Sequence, residues 1–465
     1  MENKNNKKDI NRREFLKILG AGTVASTAAL YGCNPDNQSS NRLKSSIEVP
    51  ADKMTYRINP HTGDNVSLLG YGCMRWPLRP AADGNGEEID QEAVNELVDY
   101  AIAHGVNYFD TSPRYVRGMS EKATGIALSR HPRDKYFIAT KMSNQTNDKY
   151  LRSREGSIAM YRKSFEYLQV DYIDYYLLHT IGNGGMETFK ERFYDNGILD
   201  FLLKEKEAGR IRNLGWSFHG DIAVFDHLLS LDIQWDFAQI QLNYVDWKNA
   251  SGWNTNAEYL YDELVKHNVP AVVMEPLLGG RLARLNYHSF SVLKQLRPED
   301  TPASWAFRYA GTPEKVLTVL SGMVYMEHLQ ENIRTYSPLE LLSDPEYKAL
   351  EEVTEMMLRS DYVACTECQY CMPCPYGLDI PGVFAHYNRC ISDGNIPKSS
   401  MSENYRKARR AFLVGYDRNV PKVRQANHCI QCNLCVPKCP QRINIPQELD
   451  RVDKFAELLK QNAVF

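Results

Sequence analysis

The chain has 465 residues, with 55 Lys and Arg against 58 Asp and Glu and a formal net charge of −3. That balance offers no electrostatic case for nucleic-acid binding, which needs a basic face. The length allows two or three domains, and an apolar content of 43% is enough for packed cores.

Residues 1–33 read as a targeting signal rather than as structure. Five Lys and Arg precede Glu14, and Arg12-Arg13 lies in NRREFLK, a twin-arginine pattern. An apolar stretch from Phe15 to Tyr31 comes next and ends in LYGC. Cys33 therefore stands where a lipoprotein signal is cut and the cysteine acylated. The expectation is a periplasmic protein exported by the twin-arginine route, touching the membrane only through a lipid on Cys33. A basic disordered tail is the plainer alternative. Residues 34–52, with Asn, Ser, Asp and Pro, read as a tether.

From residue 53 to about 340 the chain reads as a βα repeat. MTYRINPHTGDNVS has the pattern of a hairpin turning near Gly63-Asp64-Asn65. Eight short apolar runs then recur: SLLGYG, VNYFDTS, YFIATKM, YIDYYLLH, IRNLGWSF, FAQIQLN, AVVMEPLL and VLTVLSG. Such runs suit buried parallel strands. Amphipathic stretches separate them, among them Gln91–His104 with Asp90 as N-cap and Ser120–Leu128 opening on Ser120. No G-x-G-x-x-G follows the first run, so the pattern predicts a TIM (β/α)8 barrel over an open doubly wound sheet.

Barrel enzymes place their chemistry at the C-terminal ends of the strands. Asp110 closes the second run, with Tyr115 five residues on; Lys141 ends the third and His179 the fourth. Together they form a proton-delivery set. A lysine near a phenol favours phenolate, an aspartate keeps that lysine charged, and a histidine can orient a carbonyl. Each alone has a bland reading, as a solvated loop residue or a packed ring. Trp76, Tyr244, Trp247 and Trp253 suggest an aromatic rim, or simply packing. The insertion IGNGGMETFKERFYDNG after His179 reads as a lid or a cap.

Residues 341–465 hold two cysteine runs. CTECQYCMPCP contains Cys365, Cys368, Cys371 and Cys374, and CIQCNLCVPKCP contains Cys429, Cys432, Cys435 and Cys439. Thiolates at these spacings hold two 4Fe–4S clusters, three from one run and the fourth from the other. That places Cys365, Cys368, Cys371 and Cys439 on one cluster and Cys429, Cys432, Cys435 and Cys374 on the other. The first run is one residue short before its last cysteine. Zinc is the alternative for paired C-x2-C motifs, though it needs no Cys-Pro ending. Cys73 and Cys390 lie outside the runs and read as buried packing residues. A small, mainly helical ferredoxin-like domain is expected. Arg406, Lys407, Arg409 and Arg410 lie on a helix-like stretch that suits an acidic redox partner protein or a solvated face, and Ile445 to about Gln461 reads as a final helix.

The barrel region resembles the aldo-keto reductase family. The likeness rests on the opening hairpin, LLGYGCMR, NYFDTSPRY, ATKM, YYLLH, LGWSFH, QIQLNYVDW, MEPLLGG and SGM…LQENI; with the cysteine runs it extends to the subgroup fused to a ferredoxin-type module. The resemblance implies reduction of a small-molecule carbonyl, or oxidation of an alcohol, with NADP or NAD. It implies Tyr115 as general acid, Lys141 and Asp110 lowering its pKa, and His179 orienting the carbonyl. It implies Ser217 and Gln239 at the carboxamide, Glu331 and Asn332 near the adenine, and Gly322 admitting a phosphate closely. Phe218, Leu242 and the lack of a cation after Ser321-Gly322-Met323 depart from the family pattern. The other reading is a non-catalytic electron-transfer or docking subunit with a degenerate barrel.

Overall fold

A computed structural model describes residues 49–461 apart from 83, 85, 147, 252–254 and 398. The signal motif, Cys33 and Trp253 lie outside the described residues. An antiparallel hairpin comes first, β1 (Tyr56–Ile58) and β2 (Asn65–Ser67). The Arg57 guanidinium fastens it to the barrel floor, donating to the Gly311 and Val316 carbonyls.

Eight parallel strands close the barrel. In chain order they are β3 (Leu69–Gly72), β6 (Tyr108–Asp110), β7 (Phe137–Met142), β8 (Ile173–Ile181), β9 (Ile211–Phe218), β10 (Phe237–Gln241), β11 (Ala271–Met274) and β12 (Val316–Ser321), with β12 pairing back to β3. Each coincides with one of the eight apolar runs. Being sheathed by helices, these strands carry apolar residues on both faces; all nine residues of β8 are buried. The interior is filled by Tyr108, Tyr175, Leu177, Phe237 and Val272, with Val66 of the hairpin at its floor. One further pair, β4 (Leu78–Pro80) with β5 (Glu87–Ile89), was not expected; at three residues each it carries no periodic signal.

Of the expected caps Asp90 forms, accepting from the Ala93 N–H at the start of Gln91–Ala103. Ser120 instead turns inward, donating to the Cys73 carbonyl. Beyond the barrel, helix Asp344–Leu358 packs on helix Tyr287–Leu296. The cysteine-rich region builds its own core from helices Ile380–Ser392, Tyr405–Asn419 and Ile445–Gln461, around Phe384, Phe412, Tyr416, Val452 and Leu459. Cys73 and Cys390 are buried packing residues, in line with their isolation in the sequence.

Candidate active site and cluster-binding cysteines

Asp110, Lys141, His179, Ser217, Gln239 and Gly322 are set on or just beyond barrel strands, and Glu331 and Asn332 lie on the helix Met326–Thr335 that follows β12. With Tyr115 they line one cavity of about 470 Å³. Asp110 and Lys141 end adjacent strands and form a buried ion pair, and the Lys141 ammonium also donates to the Thr111 carbonyl at 3.0 Å. Burial pushes the Asp110 carboxyl up and the Lys141 amine down, while their contact opposes both shifts. The Lys141 nitrogen lies 5.3 Å from the centre of the Tyr115 ring.

Burial holds the Tyr115 phenol well above its ordinary pKa, and Asp110 and Tyr370 push the same way. The expected lowering by Lys141 is therefore not found. Its ammonium is engaged by Asp110, so little positive field is left for the phenol. The result is a firmly protonated donor.

His179 sits at a register shift in β8, beside Thr180 in the left-handed region (φ 56°). Its ring meets Tyr115 edge-on at 6.1 Å. The Gln145 amide donates to Nδ1 at 3.0 Å, and Ser143 Oγ lies 2.6 Å from the same nitrogen. Nδ1 thus accepts, and the ring proton is left on Nε2. Burial, then Lys141 and Arg192, keeps the imidazole neutral. The insertion after His179 caps the barrel: buried Arg192 donates to the His179 carbonyl at 2.6 Å and to Asn144.

At the dinucleotide positions, Ser217 Oγ accepts the Thr180 N–H at 2.9 Å. Gln239 donates weakly to the Met274 sulfur, and its buried carbonyl oxygen has no partner. An amide N–H2 would satisfy that oxygen, so the residue fits a carboxamide. Glu331 accepts from Thr301, and Asn332 donates to Ser321 Oγ at 3.0 Å. A Cβ on Gly322 would come within 3.2 Å of Arg75, so the approach there is close. Leu242 is fully buried, and Met274 faces the cavity instead. Phe218 packs on Phe225. Trp76, Tyr244 and Trp247 serve packing: Trp76 donates to Thr124, while Tyr244 and Trp247 abut Tyr309.

Sequence reasoning missed four kinds of cavity residue. Arg75, Arg281, Arg284 and Arg389 supply the positive charge absent after Met323. Glu275 accepts the Gly279 N–H at 2.7 Å, and burial pushes its carboxyl up to about 7 against the pull of Arg75. Tyr370, between two cluster cysteines, reaches the same cavity, and so do Cys365 and Cys368 themselves. The cluster loop is seated tightly here. Arg75 donates to the Thr366 carbonyl at 2.9 Å, and a Cβ on Gly279 (φ 66°) would lie 2.3 Å from Thr366 Cα. The one available clue was the charged Glu275 interrupting an apolar run.

The cysteines divide as the spacing requires. One recess is lined by Cys365, Cys368, Cys371 and Cys439. A second is lined by Cys374, Cys429, Cys432 and Cys435, and Cys371 borders both. The short first run does not prevent Cys374 from joining the other set. No disulfide forms among the described residues. Burial pushes the Cys368 thiol up to about 11 and Cys371 to about 12. Such thiols become thiolates only beside strong positive charge, which iron provides. Thiols ringing a recess, rather than converging on a point, suit a multi-iron cluster.

The Aldo/keto reductase family model matches residues 68–355, and the 4Fe-4S dicluster domain matches residues 364–445. The uncharacterized oxidoreductase YqkF of Bacillus subtilis is 24% identical over 63% of this chain and 94% of its own. Protein tas of Escherichia coli is 31% identical over 38% of this chain, which spans about half (55%) of that relative. Among solved structures, the holo form of aldo-keto reductase AKR11C1 from Bacillus halodurans superposes with a TM-score of 0.50. It is 23% identical and covers 64% of this chain and 96% of its own. An aldo/keto reductase from Klebsiella pneumoniae in complex with NADP and acetate does so with a TM-score of 0.50 at 20% identity, covering 65% and 95%. At these identities the structural likeness speaks for the barrel fold. The family match spans well over half of the residues, and the chain belongs to the aldo/keto reductase family, as an oxidoreductase fused to a 4Fe–4S domain.

Proposed function

We propose that the chain reduces a small-molecule carbonyl, or oxidises the corresponding alcohol, with a nicotinamide dinucleotide in the barrel cavity, and that this site exchanges electrons with two 4Fe–4S clusters. The observation that carries the reading is the shared wall: Tyr115, Lys141, Asp110 and His179 line the same cavity as Cys365 and Cys368.

A nicotinamide bound here supplies or accepts the hydride. The residues handle the oxygen. His179, neutral with its proton on Nε2, donates a hydrogen bond that orients the carbonyl. Tyr115 O–H gives its proton as charge develops on the oxygen. The adjacent Lys141 ammonium, held by Asp110, balances the phenolate left behind. Ser217 and Gln239 fit the carboxamide, and Gly322, Glu331 and Asn332 lie along the rest of the cavity. Four arginines on the wall favour an anionic dinucleotide, and NADP bound to the Klebsiella pneumoniae relative favours that choice. Two clusters hold one electron each, together the electron pair of one hydride, whose proton exchanges with solvent.

The test is anaerobic addition of NADPH or NADH to the oxidised holoprotein without mediators. The clusters should bleach, and intrinsic Trp fluorescence should report saturable binding. Binding without bleaching would separate the two sites; no binding of either nucleotide would remove the dinucleotide from the reading.

For residues 1–33 we propose twin-arginine export with acylation at Cys33. The mass of the mature chain tests it: a diacylglyceryl Cys33 at the N-terminus is expected, and an intact Met1 would refute it.

A further inference from the structure

The two recesses face different surroundings. The first opens on the barrel cavity through Cys365 and Cys368. The second, which shares Cys371 with it, opens outward: Cys432 is exposed, and three apolar side chains on its wall are exposed with it, Tyr376 (48%), Ile430 (58%) and Leu434 (54%). Apolar residues this exposed around a buried recess mark a contact surface. The module builds its core from other residues, and these three lie outside it.

The segment around this collar is basic. Residues 418–447 contain Arg418, Lys422, Arg424, Lys438 and Arg442 and no Asp or Glu, in a chain whose net charge is −3. Lys438 lines the recess itself. Arg424 donates to the Gly377 carbonyl, next to Tyr376. Lys422 is 80% exposed, and its nearest acid is Asp417 at 4.0 Å. Asp379, beside this face, is occupied capping Gly382.

We propose that this basic, apolar-centred collar is the docking surface for an acidic one-electron carrier protein, which exchanges electrons with the second cluster. The inference rests on the reading that both recesses hold clusters. The step is simple: one electron leaves a reduced cluster and reduces the carrier by one, or the reverse, with no bond made or broken. The apolar centre excludes water and brings the two redox centres close, while the basic rim steers an acidic partner and sets a salt dependence. The barrel cavity, first cluster, second cluster and collar would then lie in sequence.

The test uses the anaerobically purified full chain and an acidic plant-type two-iron ferredoxin as probe, with a basic c-type cytochrome as control. Binding to the ferredoxin should weaken at least tenfold between low and high salt, and the cytochrome should not bind. Lys422→Glu and Lys438→Glu should each weaken ferredoxin binding several-fold, and Ile430→Ser with Leu434→Ser should do so without changing the salt dependence. The cluster EPR spectrum should stay unchanged in all of them; Lys422→Glu, farther from the cysteines, remains decisive if Lys438→Glu loses iron. Equal binding of the cytochrome, or charge reversals without effect, would overturn the proposal while leaving the clusters standing. A chain without iron would instead overturn the cluster reading beneath it.

Discussion

Tyr115 rests protonated in this structure. It is buried, its neighbour Asp110 is acidic, and the nearby Lys141 ammonium is already engaged by that aspartate. A general acid needs that state at rest, provided charge on the departing phenolate is balanced once it forms. Replacing Tyr115 by Phe should therefore lower carbonyl turnover by about 10²–10⁴-fold. Iron content and visible absorption should not change, because the lost hydroxyl holds no cluster. Unchanged turnover would remove the phenol from the chemistry. These strand-end residues were legible because a polar residue closing an apolar run stands out. Tyr370, Arg389 and Cys365 were not legible as cavity residues. They reach the barrel mouth only because a second folding unit docks there, and periodicity within one segment carries no trace of such docking. The same limit separates Leu242 from Met274: one position along a strand end decides between core and cavity, and residue type alone does not reveal which.

At the scale of elements, helix Asp344–Leu358 links the barrel to the cysteine-rich region. Its N-terminus carries a capping box, Ser343 with Glu346, and Glu346 also pairs with Arg297 and with buried Arg308. Burial alone would raise this carboxyl. The Arg308 pair, the Ser343 N–H and Arg297 outweigh it and bring it down to about 2, below the ordinary 4.5. A carboxylate with a depressed folded pKa stabilises the fold above its unfolded pKa, and that stabilisation is lost as pH falls through the folded value. Glu346→Gln should therefore cost about 1.5–3 kcal/mol at neutral pH, the worth of charged hydrogen bonds. The gap between the two melting temperatures should narrow as pH falls from 4.5 toward 2. A gap independent of pH would show that packing, not charge, accounts for the loss. Ser followed three places on by Glu is a local signal, whereas the arginine partners come from distant helices and leave no local trace. Regular elements were read well for the converse reason: the eight strands and the final helix, Ile445–Gln461, each carry their own repeat. The three-residue pair β4–β5 is too short to have one.

At the scale of the whole molecule, the chain joins an aldo/keto reductase barrel to a 4Fe–4S domain with two runs of cysteines. The joint depends on iron being present. One recess is lined by Cys365, Cys368, Cys371 and Cys439, the other by Cys374, Cys429, Cys432 and Cys435, and Cys371 borders both. Two mononuclear zinc sites would draw four sulfurs each onto one point, and among the described residues no three such side chains converge in that way. A cubane is wider and takes its thiolates from around a recess rather than at one point. Protein purified without oxygen should therefore contain about eight irons per chain, four for each cluster, with a broad visible absorption that dithionite bleaches. About four irons would mean that the shortened first run, with two residues rather than three between Cys371 and Cys374, fails to complete one cluster. The outward-facing cluster, which takes Cys374, would then be lost while the one beside the cavity survived. Zinc in place of iron would leave a barrel beside a purely structural knot, and the route from Tyr115 through Cys365 and Cys368 to the surface would not exist.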